Sequence, residues 1–262
     1  MDKRAVTDLV EWPEPEGFPD DSSRDRLIGD WYLYQRKGGH RTSTDDLVTA
    51  WYACHRTEST PEHYLDLGCG IGSVMLMVSH KLRPPRIWGV EAQPQSFAMA
   101  TRTVAELPEN DCEFSLHNSD FRGVDFASKR FDLITGSPPY FPIGTGVLPD
   151  DSQRRACRFE ARGGVEGYLE TAERALSAQG RFYLVFQTIW TDRVLASAAA
   201  VNLHRTGQAD FLMRTDRDQP FLSVYEFSRE PALSVHRATL PVRDAQGQIS
   251  DDYQKIRDEM GL

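Results

Sequence analysis

The sequence predicts an α/β fold with one mostly parallel sheet and helices on both faces. Short apolar segments of strand length alternate with longer segments whose apolar residues recur at helical spacing. This alternation is typical of a parallel sheet that is covered on both faces. The chain has 262 residues, of which 40% are hydrophobic and 26% charged, so it is long enough to bury a full core.

In chain order, the first predicted element is a helix that Ser43 or Thr44 can cap. Leu47, Val48 and Trp51 recur in it at helical spacing. Alternating strands and helices follow. The predicted strands are 63–67, 86–90, 112–116, 131–135, 181–186, 209–214 and 222–227. The further predicted helices are 73–82, 94–107, 165–176 and 192–200.

The last two predicted strands are joined by a polar loop that contains Asp216, Asp218 and Pro220. Such a loop indicates that the strands are antiparallel. The prediction is therefore a seven-stranded, mostly parallel sheet with an antiparallel C-terminal strand.

Residues 1–28 have little periodicity and several prolines, so we predict a mobile N-terminal arm followed by a single domain over 29–262. The four cysteines are scattered, without a Cys-x-x-Cys pair, which supports neither a metal site nor a disulfide framework. The sequence has no apolar run of membrane-spanning length, and its N-terminus is acidic. We expect a cytoplasmic protein without a membrane partner, with a monomer favoured.

A glycine turn follows the first predicted strand, with glycines at positions 68, 70 and 72. The dinucleotide fingerprint would have its third glycine at position 73, which is Ser73. A phosphate-binding loop would end in Gly-Lys-Ser/Thr, and no lysine lies between His63 and His80. The turn therefore favours close approach of bare backbone to a bulky, uncharged ligand. It resembles the first motif of class I S-adenosylmethionine-dependent methyltransferases.

Carboxylates lie at or near the carboxyl ends of the first three predicted strands, where ligands of open α/β sheets bind. Asp66 is suited to the amino acid part of such a cofactor, or else caps nearby backbone amides. Glu91 can accept both hydroxyls of a ribose, or else is a solvated strand end. Asp120 and Phe121 can bind and stack on an adenine, although Phe121 is equally suited to the core.

A second motif, Ser137-Pro138-Pro139-Tyr140, follows the fourth predicted strand. The proline pair stiffens the backbone and removes two donors. The Ser137 side chain and the Pro138 carbonyl can then accept hydrogen bonds from one planar NH₂ group, while Tyr140 offers a ring face. The alternative is a simple turn with a surface tyrosine. Because the motif lies at the same end of the sheet as the glycine turn, we predict a clamp for a flat amine.

With both motifs, the chain resembles the tRNA valine-1 adenine-N6 methyltransferase family. Members of that family have Asn-Pro-Pro-Tyr where this chain has Ser137-Pro138-Pro139-Tyr140. The resemblance runs from about residue 33 to the C-terminus and implies a Rossmann-like class I methyltransferase fold, S-adenosyl-L-methionine as cofactor and tRNA as partner. It implies cofactor contacts from the segment before the glycine turn, at Gln35, Arg41 and Thr44. It implies substrate contacts from the segment after the tyrosine, at Phe141, Arg154, Arg155 and Arg158.

Other acceptors of the methyl group are also compatible with the sequence. Serine in the motif also occurs in cytosine-N4 DNA methyltransferases, and related motifs occur in glutamine methyltransferases. The formal net charge of −9 suits a protein or small-molecule substrate, although a local basic patch can act independently of distant acidic surface. A third hypothesis is a domain that binds the cofactor but has lost catalysis.

Overall fold

The computed structural model describes residues 16–145 and 147–262, so the first fifteen residues of the predicted arm lie outside the described part. Its strands are β1 Ser22–Ile28, β2 Trp31–Arg36, β3 His63–Leu67, β4 Arg86–Glu91, β5 Glu113–Asn118, β6 Phe131–Gly136, β7 Leu176–Gln187, β8 His204–Leu212, β9 Leu222–Ser228 and β10 His236–Pro241. Its helices are α1 Thr44–Arg56, α2 Ser73–Leu82, α3 Pro94–Ala105, α4 Ser152–Arg158, α5 Val165–Ala175, α6 Thr191–Ala200 and α7 Asp251–Met260.

The main sheet has the strand order β10-β8-β9-β7-β6-β3-β4-β5. All neighbouring pairs are parallel except those of β9, which is antiparallel to both β7 and β8. From β3 the chain proceeds outward to β4 and β5, and then returns to the other side of β3 as β6. The strand order therefore reverses between β3 and β6, and such a reversal opens a crevice at the carboxyl ends of the strands.

The predicted α/β class is confirmed, but the sheet has eight strands instead of seven in the described part of the chain. The additional strand is β10, which pairs with β8 at the edge of the sheet. Its side chains are mostly exposed or half-buried. Because an edge strand of this kind buries little apolar surface, it has no apolar run by which the sequence would reveal it.

The structure also corrects the predicted arm. Residues 22–28 form β1, which pairs antiparallel with β2 in a hairpin separate from the main sheet. Leu27 and Ile28 are buried. The backbone N–H of Tyr34 in β2 donates to Thr103 Oγ1 in α3 at 3.0 Å. The residues from 22 onward are therefore docked on the domain.

Two apolar clusters cover the two faces of the sheet. The larger cluster joins the hairpin with α1, α2 and α7, and the smaller one joins α5 and α6. α1 begins after Ser43, whose side chain and that of Asp46 form a reciprocal capping box. This cap fixes the first turn of α1 beside the carboxyl end of the sheet, where the candidate site lies.

Candidate functional site

The glycine turn after β3 has three residues in the left-handed region of backbone conformation. The φ angles of Gly68, Gly70 and Gly72 are 64°, 57° and 89°, values that side chains with a Cβ atom rarely adopt. A Cβ on Gly68 would lie 2.5 Å from the Tyr168 hydroxyl, whereas one on Gly70 would face open space. The turn therefore brings bare backbone to the edge of a cavity, as the sequence predicts.

Glu91 braces this turn from the end of β4. Its Oε2 accepts from the backbone N–H of Gly70 at 2.8 Å, and its Oε1 accepts from the N–H of Gln93 at 2.6 Å. The residue is buried and still lines the cavity. Because each carboxylate oxygen accepts more than one hydrogen bond, Glu91 can also bind a ligand hydroxyl.

Asp66 forms the acidic floor of the cavity. Its Oδ1 accepts from Thr135 Oγ1 at 2.6 Å, and Thr135 Oγ1 also hydrogen-bonds with the Tyr64 hydroxyl at 2.7 Å. Burial, with a smaller contribution from the nearby Glu91, raises the pKa of Asp66 to about 7. The carboxyl groups of the floor are therefore poorly solvated, and a bound cation would stabilise their charged forms.

Two further acidic residues, which the sequence reasoning did not single out as site residues, come from the first turn of α1. Asp45 and Asp46 both line the cavity. Asp46 is buried, and this burial, together with the neighbouring Asp45, raises its pKa. The adjacent acids in the first helical turn were visible in the sequence, but they are also common there for their interaction with the helix dipole.

These groups enclose a cavity of about 660 Å³ at the crevice between β3 and β6. Most of the predicted site residues line it. They are Arg41, Asp66, Gly68, Gly70, Glu91, Asp120, Phe121, Ser137, Pro138, Tyr140, Phe141, Arg154 and Arg158. The two motifs, far apart in the sequence, therefore face one space.

Four predicted contact residues do not line this cavity. Gln35 is buried in β2, and Thr44 hydrogen-bonds with Tyr253 of α7. Gly72 caps α2. Arg155 points away, because its Nε donates to the carbonyl of Pro149 at 3.0 Å.

The segment before α1 is held by a polar network. Gln35 Oε1 accepts from the backbone N–H of Thr42 at 3.0 Å, while Gln35 Nε2 donates to Asp25 at 2.9 Å. Arg41 lines the cavity and also pairs with Asp25 at 3.0 Å. Gln35 and Arg41, for which the resemblance implies cofactor contacts, thus anchor residues 41–42 to the hairpin.

The Ser137–Tyr140 turn begins directly after β6. The Tyr140 hydroxyl donates to Asp45 Oδ2 at 2.8 Å. Its ring meets Phe186 of β7 edge-on, with centroids 5.5 Å apart. Burial and the adjacent Asp45 raise the pKa of Tyr140. The hydroxyl and one edge of the ring are thus fixed, and Ser137 and Pro138 line the same cavity.

The arginine-bearing segment is fastened to this turn by backbone hydrogen bonds. The N–H of Phe141 donates to the carbonyl of Arg158, and the N–H of Glu160 donates to the carbonyl of Phe141, both at 2.9 Å. The rings of Phe141 and Phe159 lie 5.7 Å apart. α4 and the residues that follow it are therefore held beside the cavity, whose lining includes Arg154 and Arg158 of α4 and Arg162 after it.

The mouth is basic where the floor is acidic. Arg154 Nε donates to the carbonyl of Gly39 at 3.1 Å, which joins α4 to the segment before α1. Burial lowers the pKa of His40, and Arg158 and Arg154 lower it further against the opposing effect of Asp45. His40 is therefore a neutral group among cations at neutral pH.

Asp120 and Phe121 follow β5 on the opposite wall. Asp120 accepts from the backbone N–H, Nε and Nη2 of Arg122, and the carboxyl pKa is lowered because these contacts outweigh burial. Phe121 meets Tyr168 edge-on, with centroids 4.5 Å apart. Both residues line the cavity, so Phe121 combines core packing with an accessible surface.

Within residues 16–145 and 147–262, no group of three or more His, Cys, Asp or Glu side chains is arranged to hold a metal ion. No helix in the described part of the chain is both long and apolar enough to cross a membrane.

Sequence comparison identifies similar proteins over most of the chain. Residues 65–158 match a family described as a methyltransferase domain. A tRNA1(Val) (adenine(37)-N6)-methyltransferase of Mannheimia succiniciproducens is 33% identical over 199 residues, which cover 72% of this chain and 76% of that protein. The enzyme of this name from Dickeya chrysanthemi is 27% identical over 82% of this chain and 85% of its own length. The match to a Porphyromonas gingivalis relative spans 58% of that protein, at 31% identity over 55% of this chain.

Solved structures support the fold. A predicted O-methyltransferase from Agrobacterium tumefaciens superposes with a TM-score of 0.61 at 14% identity, over 84% of this chain and 98% of that one. A methyltransferase from Pyrococcus furiosus superposes with a TM-score of 0.53 at 16% identity, over 75% of this chain and 88% of that one. At such low identities, the likeness concerns the architecture alone.

Proposed function

We propose that this chain, which belongs to the tRNA1(Val) (adenine(37)-N6)-methyltransferase family, is an S-adenosylmethionine-dependent N-methyltransferase that acts on the exocyclic amine of an adenine in tRNA. One observation supports this function above the others: the Ser137–Tyr140 turn and the glycine turn open onto the same cavity of about 660 Å³. A cavity of this size accommodates a nucleoside-sized cofactor together with a base.

The inner end of the cavity fits the proposed cofactor. Gly70 offers uncovered backbone, Glu91 offers acceptors for ribose hydroxyls, and Asp66 offers a carboxyl group for an ammonium. When bound, S-adenosylmethionine supplies a methyl group on a positively charged sulfur. The acidic floor favours such a cation and disfavours phosphates, in keeping with the glycine spacing.

The outer half of the cavity fits a planar amine. The Ser137 hydroxyl and the Pro138 carbonyl would accept the two N–H hydrogens, which favours pyramidalisation and frees the nitrogen lone pair for attack. Tyr140 would hold the base by stacking, with its hydroxyl fixed by Asp45 and its ring edge by Phe186. Positioning and pre-arranged acceptors would supply the rate enhancement, so no strong base is required.

The basic mouth fits the backbone of a nucleic acid. Arg154 and Arg158 line the opening through which a base would enter, and a flipped-out base carries a phosphate on each side. A tRNA substrate would place the enzyme in the cytoplasm. We further propose that residues 22–262 act as one methyltransferase domain and that the enzyme is a monomer, which light scattering would test.

A second candidate rests on Ser137. Its hydroxyl stands where the resemblance implies an Asn side chain, and a hydroxyl has a shorter reach than an amide. A different planar amine or amide, such as a protein glutamine or a cytosine, would then be the acceptor. The change Ser137→Asn separates the two: it should preserve or raise methylation of adenine if Ser137 fills the acceptor role, and abolish activity if the pocket is shaped for another amine.

The direct test supplies methyl-labelled cofactor to the purified protein with total RNA, total protein or DNA from cells that lack the enzyme. We expect label in the tRNA fraction and N6-methyladenosine after digestion to nucleosides. Protein bearing Glu91→Ala, assayed at a cofactor concentration well below that which saturates the unaltered protein, serves as the control for contaminating activity. Label in protein or DNA alone would reject the tRNA assignment while keeping the methyltransferase, and the absence of transfer to any fraction would favour a non-catalytic domain.

A further inference from the structure

A short apolar step lies at the carboxyl edge of the sheet, formed by Ile189 and Trp190. They belong to a single 3₁₀ turn, Thr188–Trp190, between β7 and α6. Ile189 is 83% exposed and Trp190 is 37% exposed. Exposed apolar surface beside a functional cleft is a candidate interaction site.

Trp190 differs from the other described tryptophans. Trp31, Trp51 and Trp88 all make ring contacts with neighbouring aromatic side chains. Trp190 makes no aromatic ring contact with any residue in the described ranges. Among these four tryptophans, Trp190 is therefore the one whose position is not explained by packing against other aromatic rings.

The step begins next to the proposed amine clamp. Gln187, at the end of β7, lines the cavity. The residue before it, Phe186, is the ring that meets Tyr140 edge-on. After the Ser137–Tyr140 turn, the chain continues to Phe141, which lines the cavity and is exposed. The step thus leaves the sheet from a position adjacent to that of the clamp.

The step is also fixed relative to the basic mouth. Arg193, in the first turn of α6, donates to Glu160 and to Glu166 at 2.8 Å each. Glu160 lies between Arg158 and Arg162, which line the mouth. These ion pairs tie α6, which directly follows the step, to the arginine-bearing segment. The apolar step is therefore connected through α6 to the segment that carries the cations.

We propose that Trp190, with Ile189 beside it, is a stacking step for an unpaired base next to the adenine that enters the cavity. This inference rests on the proposed function and deepens it, because it names the side chain that would hold a base neighbouring the target adenine. Cations beside an exposed aromatic surface are the combination that binds single strands, in which phosphates meet the cations and unstacked bases meet the rings. In a duplex the bases are stacked and unavailable for such a contact.

The test measures binding of the cofactor-loaded protein to a short RNA hairpin with an adenine-containing loop, and to a blunt duplex of the same composition. Trp190→Ala should weaken hairpin binding about five- to a hundredfold, since stacking of one base on an aromatic side chain supplies energy of this order. Trp190→Phe should retain most of the affinity because it keeps a ring. The affinity for cofactor and the weak binding to the duplex should stay unchanged in both variants.

Tryptophan fluorescence provides a second readout. The hairpin should quench the emission of the unaltered protein, and this quenching should be largely lost in Trp190→Phe. Unchanged hairpin affinity in Trp190→Ala, or equal quenching in Trp190→Phe, would overturn the inference, even if tRNA methylation is observed. A change of oligomeric state in Trp190→Ala with unaltered RNA binding would assign the step to self-association and would also overturn it. Failure of the proposed function is recognised separately, by the absence of label in RNA for the unaltered protein.

Discussion

The two ends of the cavity are built in contrasting ways. The inner end consists of strand ends, the glycine turn and the first turn of α1, and its ionisable groups are the buried carboxyl groups of Asp46, Asp66 and Glu91. The outer end consists of α4 and the loops that follow β6 and precede α1, and its charged groups are mainly arginines. A cation is therefore favoured inside, and an anion at the mouth.

This contrast predicts that the two binding events can be separated by mutation. A buried carboxylate acts over a short distance with little screening, so changes at the inner end should alter cofactor affinity strongly. An exposed arginine acts through screened charge, so changes at the mouth should alter the salt dependence of binding and little else. The following predictions test this division, in order of decreasing effect.

The largest effect is expected for Glu91→Ala at the inner end. The change removes a carboxylate proposed to bind the ribose and also frees the N–H of Gly70. A hydrogen bond to a charged group contributes about 1.5–3 kcal/mol, so S-adenosylmethionine affinity should fall roughly tenfold or more. Calorimetric titration measures the change, and Glu91→Gln is the matched control because it keeps one acceptor oxygen. Unchanged affinity in a folded Glu91→Ala protein would mean that the cofactor binds elsewhere.

Tyr140→Ala is expected to affect transfer rather than cofactor binding. Loss of a stacking platform costs about 1–3 kcal/mol, so kcat/KM for tRNA should fall roughly five- to a hundredfold, with cofactor affinity unaltered. Tyr140→Phe keeps the ring but loses the hydrogen bond to Asp45. Its kcat/KM should therefore lie between the values of Tyr140→Ala and of the unaltered protein. Ser137→Ala should likewise lower transfer alone. Equal loss of cofactor affinity in these variants would break the proposed division between the two ends.

Asp66→Asn tests the electrostatic cost of the inner end in the cofactor-free protein. The folded-state pKa of about 7 lies above the unfolded value near 3.8. Stability from the protonated carboxyl is therefore complete below about pH 4 and is lost as pH rises to about 7. Asn avoids this loss. The difference in stability between Asp66→Asn and the unaltered protein should therefore be more favourable to the variant at pH 8 than at pH 5, by on the order of 2–3 kcal/mol or about 5–10 °C in melting temperature. Calorimetry at both pH values gives the result.

The control for this pH dependence is Asp218→Asn, which removes one negative charge at an exposed position outside the cavity. A difference in melting temperature that does not grow with pH for Asp66→Asn would mean that water or local rearrangement relieves the burial of this carboxyl. The same variant should bind S-adenosylmethionine less tightly, because the proposed partner of the ammonium is lost. Stability and function would then oppose each other at this residue.

The inner end was predictable from sequence because its signals are local. An apolar strand followed by spaced glycines defines the turn, and a carboxylate that ends the next strand comes to the same edge of any parallel sheet. The structure brings Asp66, Gly68, Gly70 and Glu91 together as these rules require.

The outer end was less predictable because it depends on contacts between distant segments. α4 and the β1–β2 hairpin carry weak periodicity and were not predicted as elements. Arg36 pairs with Asp151 at the start of α4 at 2.7 Å, a contact across more than a hundred residues. Similarly, no spacing rule reveals that Asp45 would meet Tyr140, or that Arg155 would turn towards Pro149.

The smallest predicted effect distinguishes neighbouring arginines of α4. Arg154 and Arg158 line the mouth, whereas Arg155 does not, although the sequence treats all three alike. If each of the first two contacts one phosphate of a single strand, either change to Ala should make the slope of log affinity against log salt shallower by about 0.7. Between 50 and 200 mM salt, this amounts to a difference of about two- to threefold for each residue.

Arg155→Ala is the matched control, with the same charge change one residue from Arg154, and should leave the slope unaltered. A salt titration of tRNA binding by the three variants decides the matter. Equal slopes for Arg154→Ala, Arg158→Ala and the unaltered protein would remove the mouth from the RNA interface, and a shallower slope for Arg155→Ala alone would require α4 to reorient when RNA binds.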